Sequence, residues 1–460
     1  MKKEISVKIN NPILNTDGYK LSHADMYAPG TDGIYSYIES RGLSQTFADY
    51  GFGNEIVHFG SAIVSDQFVD WRIHNTDISQ AEEILQTYGV PFNKDRWQYI
   101  VNEYGGWLPV TVLGLPDGKV VNTHTPQMVM YNKDPNLFWL VSYLETAILR
   151  TVWYGSTVAT LSRNCKKIIK RYMELTCDNL DGLPFKLHDF GARGASSEEA
   201  ARIGGLAHLI NFMGTDTLSA LDLMMDIYGE SGKAFSIPAS EHSTITSWGK
   251  DREVDAYDNM LTLYGKDGSI FSCVSDSYDI FNAVRNIWGG ELRQKIIDSG
   301  ATVVIRPDSG DPVTVVLATL EILADRFGFT TNTKGYRVLN HVRVIQGDGI
   351  YPESLAGILI AMKNNGYSVD NIAFGMGGGL LQNVNRDSLK YAMKASAVRI
   401  DGKWTPIQKD PATDHGKKSK AGLLNEEDMV TVYETINDGR LSGTFYRTES
   451  FDDVRARAAV

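Results

Sequence analysis

In SIPASEHSTITSWGKD, Ser236–Asp251, a histidine directly follows a glutamate, and three hydroxyl residues, Ser243, Thr244 and Thr246, come close behind. Two readings of Glu241-His242 stand: His242 caps a helix that the hydroxyl residues begin, or it is a titratable group belonging to a site. The ends of the other apolar runs bear on the choice. Asp276 and Asp279 in SDSYD, Asp308 in RPDSGDP and Asp348 in QGDG close such runs. Carboxylates there suit the hydroxyls of a sugar, or a Mg2+ ion that a di- or triphosphate carries and that they reach through its waters. Each alone is an ordinary helix cap, but four such carboxylates at the ends of successive runs, two of them in SDSYD, favour a site.

Glycines supply a second pattern. Gly375, Gly377, Gly378 and Gly379 in GMGGGLLQNVNRD precede a helical start, where bare backbone N–H groups form an anion site. Arg386, further along the same helix, adds a bidentate phosphate contact. A tight strand-to-helix turn explains the same run equally well. There is no GK[ST] phosphate loop and no complete GxGxxG, which disfavours P-loop and dinucleotide folds. Arg193, Arg306, Lys394, Lys409 and Lys417 punctuate a chain of formal net charge −11; each reads as solvated surface unless an anion is near. Phe190 and Tyr19 read as core aromatics by composition. These residues reach as far as a site for a phosphorylated, hydroxylated ligand, without naming a reaction.

The elements that must position them alternate. From about Leu187, β-branched runs (FKLHDFGARG, AFSIPASEHS, FSCVSDSYD, ATVVIRPDSGDP, HVRVIQGDG, NIAFGMGGG) stop at Gly, Asp, His or Arg and give way to helical patterns such as DPVTVVLATLEILADRFG. This predicts parallel α/β architecture, as an irregular, TIM-like α/β barrel with polar chemistry at the carboxyl ends of its strands; a doubly wound sheet is the alternative. Hairpin-like segments near the start (DGIYSYIES, LPVTVLGLPDGKVVNTHTPQMVMY) and short strands after about Lys390 predict a second, mixed α+β domain built from both termini. The expected division is 1–145 with 390–460 against a barrel at 146–389.

The negative charge recruits neither nucleic acid nor an anionic membrane. Three cysteines without CxxC spacing argue against disulfides or zinc and for a cytoplasmic protein. No apolar stretch follows MKKEISVKIN, as a secretory signal would require. LFWLVSYLETAILRTVWYG carries Glu145 and Arg150 and reads as a buried amphipathic helix.

In order, NPILNTDGYKLSH, KLHDFGARGASSEEA, NFMGTDT, PASEHSTITSWGKD, VSDSYDI, VIRPDSGDP, RVIQGDGI and IAFGMGGGLLQ resemble the nicotinamide phosphoribosyltransferase family of type II phosphoribosyltransferases, from Asn11 to the KKSKAG loop. The resemblance implies transfer of a 5-phosphoribosyl group from phosphoribosyl pyrophosphate to nicotinamide, giving nicotinamide mononucleotide for NAD salvage, in a homodimer with shared active sites. It implies that Phe190 and the partner subunit's Tyr19 stack on the pyridine. It implies likewise that Asp216 prefers amide to acid, that Arg306 meets the amide oxygen and that Ser236 belongs to the same base site. Gly347, Asp348, Gly377, Gly378 and Arg386 are implied at ribose and 5-phosphate, and Arg193, Arg41, Lys394 and Lys409 at pyrophosphate, with Lys417 in a nucleotide loop. His242 is implied as a histidine phosphorylated by ATP, a coupled co-substrate; Asp276 joins it among the catalytic residues, and Glu241 and Asp308 orient its ring. Mg2+ is expected on pyrophosphate, without direct protein ligands. Ala192, Gly18 and Met376 depart from the family pattern. Nicotinate phosphoribosyltransferase is the rival enzyme, and a non-catalytic ligand-binding or signalling dimer the rival of another class.

Overall fold

The computed structural model describes residues 11–413, 418–435, 441–442 and 449–459. The chain divides into two compact units, Met1–Thr157 with Asn385–Ala458, and Val158–Val384 with the last two residues. Lys417 lies outside the described residues.

The first unit is organised by an antiparallel sheet. Its strands neighbour one another in the order Lys403–Pro406, Tyr391–Ile400, Thr31–Ser40, Pro126–Asn132, Val110–Gly114, Val430–Thr435, Leu441–Ser442. Thr31–Ser40 is buried along nearly all its length and carries Ile34, Tyr35, Tyr37 and Ile38, the aromatic and β-branched types that fit a sheet covered on both faces. It pairs Tyr37 with Lys394, and the N–H of Arg41 beyond its end donates to Lys390 O at 3.3 Å. The pairing register thus places Arg41 alongside the strand that carries Lys394.

In the second unit, parallel strands neighbour one another in the order Gly214–Thr215, Leu187–Asp189, Ile372–Met376, Val342–Gln346, Thr302–Arg306, Ile270–Val274. The segment from Phe235 to Ala239 joins the two ends: Phe235 bridges Gly214 and Ala239 bridges Ser272, both in parallel sense. The ring therefore closes as an irregular α/β barrel, not a doubly wound sheet. AFSIPASEHS forms isolated bridges where the sequence predicts a regular strand. Pro238 is the reason, because it has no N–H to give a ladder and uses only its carbonyl, which accepts from Ser272 N at 2.8 Å.

Helix Pro312–Phe327 shows how sequence signals set the elements around the barrel. Asp311 caps it by accepting from Thr314 N at 2.9 Å, Pro312 opens it, and Gly328 ends it at φ 71. Val316, Leu320, Leu323 and Phe327 form its buried stripe. The apolar segment expected to be one buried helix is two, Leu140–Tyr143 and Glu145–Thr176. Among the described residues no helix is long and apolar enough to cross a membrane. Cys165, Cys177 and Cys273 are buried and unbridged, and burial pushes the Cys165 and Cys273 thiols up to about 12.

Candidate active site

Alternate residues of a barrel strand face inward. Lys186, His188 and Phe190, then Phe235, Ile237 and Ala239, then Thr302, Val304 and Arg306 line one interior cavity of about 640 Å3. Asp216 and Ser236 line it too, and Ser236 Oγ donates to Asp216 Oδ1 at 2.5 Å. Arg306 Nε is buried without a hydrogen-bond partner, while Nη2 of the same guanidinium donates to Asp308 Oδ2 at 3.4 Å. The cavity thus offers an aromatic face, a carboxylate acceptor and an unused guanidinium donor, which match a planar heteroaromatic bearing a carboxamide.

A second cavity, of about 680 Å3, is lined by residues that follow the carboxyl ends of the strands, where barrel enzymes keep their chemistry. Phe190, Asp216 and Arg306 belong to both cavities. Arg193, Glu241, His242, Asp308, Gly347, Asp348, Gly377 and Gly378 complete this mouth. Gly377 and Gly378 open only a one-turn helix, Gly378–Leu381, so Arg386 does not share it as the sequence suggested and instead falls in the first unit.

His242 starts helix His242–Thr246, whose N-cap position is Glu241, without a side-chain cap bond. The capping reading of His242 therefore does not hold. Its Nε2 lies 2.9 Å from Asp276 Oδ1, and the Asp276 side chain is only 6% exposed. Neither carboxylate expected to orient the ring does so in this structure. Glu241 accepts from Ser243 Oγ, and Asp308 accepts from Arg306. Adjacent residues at a helix start point in different directions, so Glu241 cannot readily face the ring beside it. Asp279 is the cap that its residue type suggested, accepting from Phe281 N and Asn282 N at 3.0 Å each.

In the first unit, burial lowers the Lys394 pKa; Arg41, Lys409 and Arg386 lower it further, against Glu145. Four implied phosphate-binding cations are thus gathered there, in a repulsion that a bound anion would relieve. Arg41 Nε is buried without a hydrogen-bond partner. Tyr19 is 61% exposed. At Gly18 an added Cβ would lie 2.0 Å from the hydroxyl oxygen of the exposed Tyr88, so a side chain there requires that tyrosine to move. Ala192 lines the mouth, and Met376 is buried, its carbonyl accepting from Phe190 N at 3.0 Å.

Gly375 does not line the mouth; it seats the Phe190 ring. An added Cβ would fall 2.1 Å from Phe190 Cδ2 and Cε2. Gly375→Ala is therefore expected to displace the ring, raising the KM for the base roughly tenfold and lowering stability by about 1–3 kcal/mol. Steady-state kinetics together with thermal unfolding check this. The sequence reading passed over Lys186 and His188, although the alternation from Lys186 to Phe190 in FKLHDF marks both as inward-facing. Burial brings Lys186 down to about 8 and pushes Asp189, on the other face of the strand, up to about 6.

A closed barrel with an interior cavity that shares Phe190, Asp216 and Arg306 with a mouth of arginine, glycine and carboxylates fits a phosphoribosyltransferase. The chain matches the nicotinate phosphoribosyltransferase (NAPRTase) family over residues 185–438 and the nicotinamide phosphoribosyltransferase N-terminal domain over residues 11–112. It is similar to the nicotinamide phosphoribosyltransferase of Xanthomonas campestris pv. campestris (strain 8004), with 50% identity over 98% of this chain and 92% of that protein. It is also similar to the nicotinamide phosphoribosyltransferase of Mycoplasma genitalium, with 31% identity over 94% of this chain and 98% of that one. The crystal structure of human nicotinic acid phosphoribosyltransferase shares the fold, with TM-score 0.56 and 15% identity over 96% of this chain and 92% of that one. The chain is an enzyme and belongs to the nicotinamide phosphoribosyltransferase family.

Proposed function

We propose that the protein transfers the 5-phosphoribosyl group of phosphoribosyl pyrophosphate to nicotinamide, giving nicotinamide mononucleotide and pyrophosphate. The observation that carries this reading is that Phe190, Asp216 and Arg306 line both cavities. A ring held in the barrel and a sugar held in the mouth meet at these three residues. The Asp216 carboxylate accepts from the carboxamide N–H and repels the carboxylate of nicotinate, while Arg306 Nε donates to the amide oxygen.

The pyridine nitrogen already has a free lone pair, so bond formation at C1 of the ribose needs no general base. The C1–O bond to pyrophosphate breaks with oxocarbenium character, and catalysis is positioning plus charge stabilisation. Asp308 and Asp348 stand in the mouth to meet the sugar, and Arg193 the departing phosphates. In this reading Mg2+ would arrive with the pyrophosphate group and would supply charge neutralisation there, with Asp308, Asp348 and Asp276 near enough to the mouth to reach it through its waters.

ATP couples through His242. The imidazole attacks the γ-phosphorus, the bond to the ADP oxygen breaks, and hydrolysis later returns phosphate and the free ring. The phosphohistidine adds negative charge beside the pyrophosphate site. The exposed Tyr19 supports a homodimer in which the partner subunit's Tyr19 covers the second face of the base. The three unbridged cysteines accord with a cytoplasmic enzyme.

The test is a mass-spectrometric product assay with phosphoribosyl pyrophosphate, Mg2+ and equal nicotinamide and nicotinate. Mainly nicotinamide mononucleotide is expected. Mainly nicotinate mononucleotide would overturn the base assignment, and no product with either base would favour a ligand-binding protein.

A further inference from the structure

His188 stands between Lys186 and Phe190 on the barrel strand, and all three side chains line the interior cavity. Its ring lies against the backbone of Gly214, where an added Cβ would fall 2.6 Å from Nδ1. Gly214 pairs with His188 in the sheet and stands two residues before Asp216, so imidazole and carboxylate share one wall. The His188 ring centroid is 6.3 Å from that of Phe190. No step of the proposed transfer uses His188.

We propose that His188 sets the charge of the base pocket, and with it the choice between an uncharged carboxamide and an anionic carboxylate. The inference rests on Asp216 reading the base. A neutral imidazole leaves the Asp216 charge uncompensated, and an anionic base is repelled. An imidazolium on the same wall cancels that charge and gives nicotinate a cation to approach. Burial lowers the His188 pKa, with Asp216 and a backbone hydrogen bond at Phe185 opposing. The pocket is thus discriminating at neutral pH and becomes permissive as pH falls below the ordinary histidine value.

The other charged groups around the ring hold partners of their own, with Arg306 keeping a donor, Nε, for the base. Lys186 donates to Val369 O and Ile372 O at 2.8 and 2.9 Å. Arg343 donates to Leu339 O and Val342 O at 2.6 and 2.7 Å. Arg306 engages Asp308, Asp370 accepts from Ser368 Oγ at 2.9 Å, and Asp189 accepts from Gly191 N at 2.7 Å. Between pH 7.0 and 5.5 the three cations keep their charge, while Asp189, pushed up to about 6 and coupled to Asp216, titrates beside His188 and must be separated from it by substitution.

The experiment is competition between nicotinamide and nicotinate at pH 7.0 and 5.5, read as the ratio of their kcat/KM values in the wild type, His188→Gln and His188→Asn. The ratio is internal to each sample, so partial loss of folded enzyme cancels. The expected result is a wild-type ratio that falls roughly fivefold on acidification and a clearly smaller fall in both neutral variants, in which Asp189 still titrates. A wild-type ratio that favours nicotinamide equally at both pH values would overturn the role of His188 alone. So would variants that follow the full wild-type fall, which would assign the titration to Asp189. A wild type making mainly nicotinate mononucleotide at pH 7.0 would instead overturn the base assignment on which the inference rests.

Discussion

Asp216→Asn shifts the enzyme toward nicotinate. Asp216 uses Oδ1 to accept from Ser236 and keeps its other oxygen for a ligand N–H. A carboxamide matches that acceptor, whereas a carboxylate meets like charge inside the barrel, where water screens it less than at the surface. Asparagine removes the charge and presents an N–H, so the carboxylate of nicotinate gains a donor and loses a repulsion. The ratio of kcat/KM for the two bases is expected to move by on the order of 10²–10³ toward nicotinate, since mismatched buried polar groups discriminate far more strongly than a missing methylene. The competition assay reads it directly, and an unchanged ratio would refute the assignment of Asp216.

His242→Ala abolishes phosphate incorporation from labelled ATP and removes any ATP-dependent rise in product, while transfer without ATP persists. The geometry adds which nitrogen reacts. An ionised Asp276 accepts only, so the 2.9 Å contact keeps the proton on His242 Nε2 and leaves the lone pair on Nδ1. Phosphate is therefore expected on Nδ1, which phosphorus NMR of the denatured, alkaline-stabilised protein distinguishes from Nε2. Asp276→Asn keeps the ring but changes the tautomer preference, and is expected to slow labelling by roughly 10- to 100-fold. Label that survives His242→Ala unchanged would mean that another residue is phosphorylated.

Much of this site is written locally. The α/β class followed from apolar runs that stop at glycine and aspartate and lead into capped helices. Pro312 and Gly328 mark the ends of one such helix without any knowledge of its neighbours. Phe190, Arg193, Asp216, His242, Arg306, Asp308, Asp348, Gly377 and Gly378 were all singled out by residue type, position at a run end or resemblance, and they line one mouth. Strand ends and helix starts are short-range features, so sequence neighbours report on them.

Partners across the barrel are a different matter. That His242 takes Asp276 and not its neighbour Glu241 is set by where the Ile270–Val274 strand delivers Asp276, a contact across 34 positions of sequence. Gly375 reads as one more phosphate-loop glycine until the Phe190 ring is found resting on it. His188 carries no motif; the parallel pairing of Leu187–Asp189 with Gly214–Thr215 puts it on the same wall as Asp216. The sequence by itself determined the alternation of elements and the chemistry gathered at their ends, because propensity, capping and strand periodicity act within a few residues. Which carboxylate holds which imidazole, which glycine seats the ring and which buried histidine faces the base were decided by tertiary packing, because such contacts exist only once distant strands are brought into register.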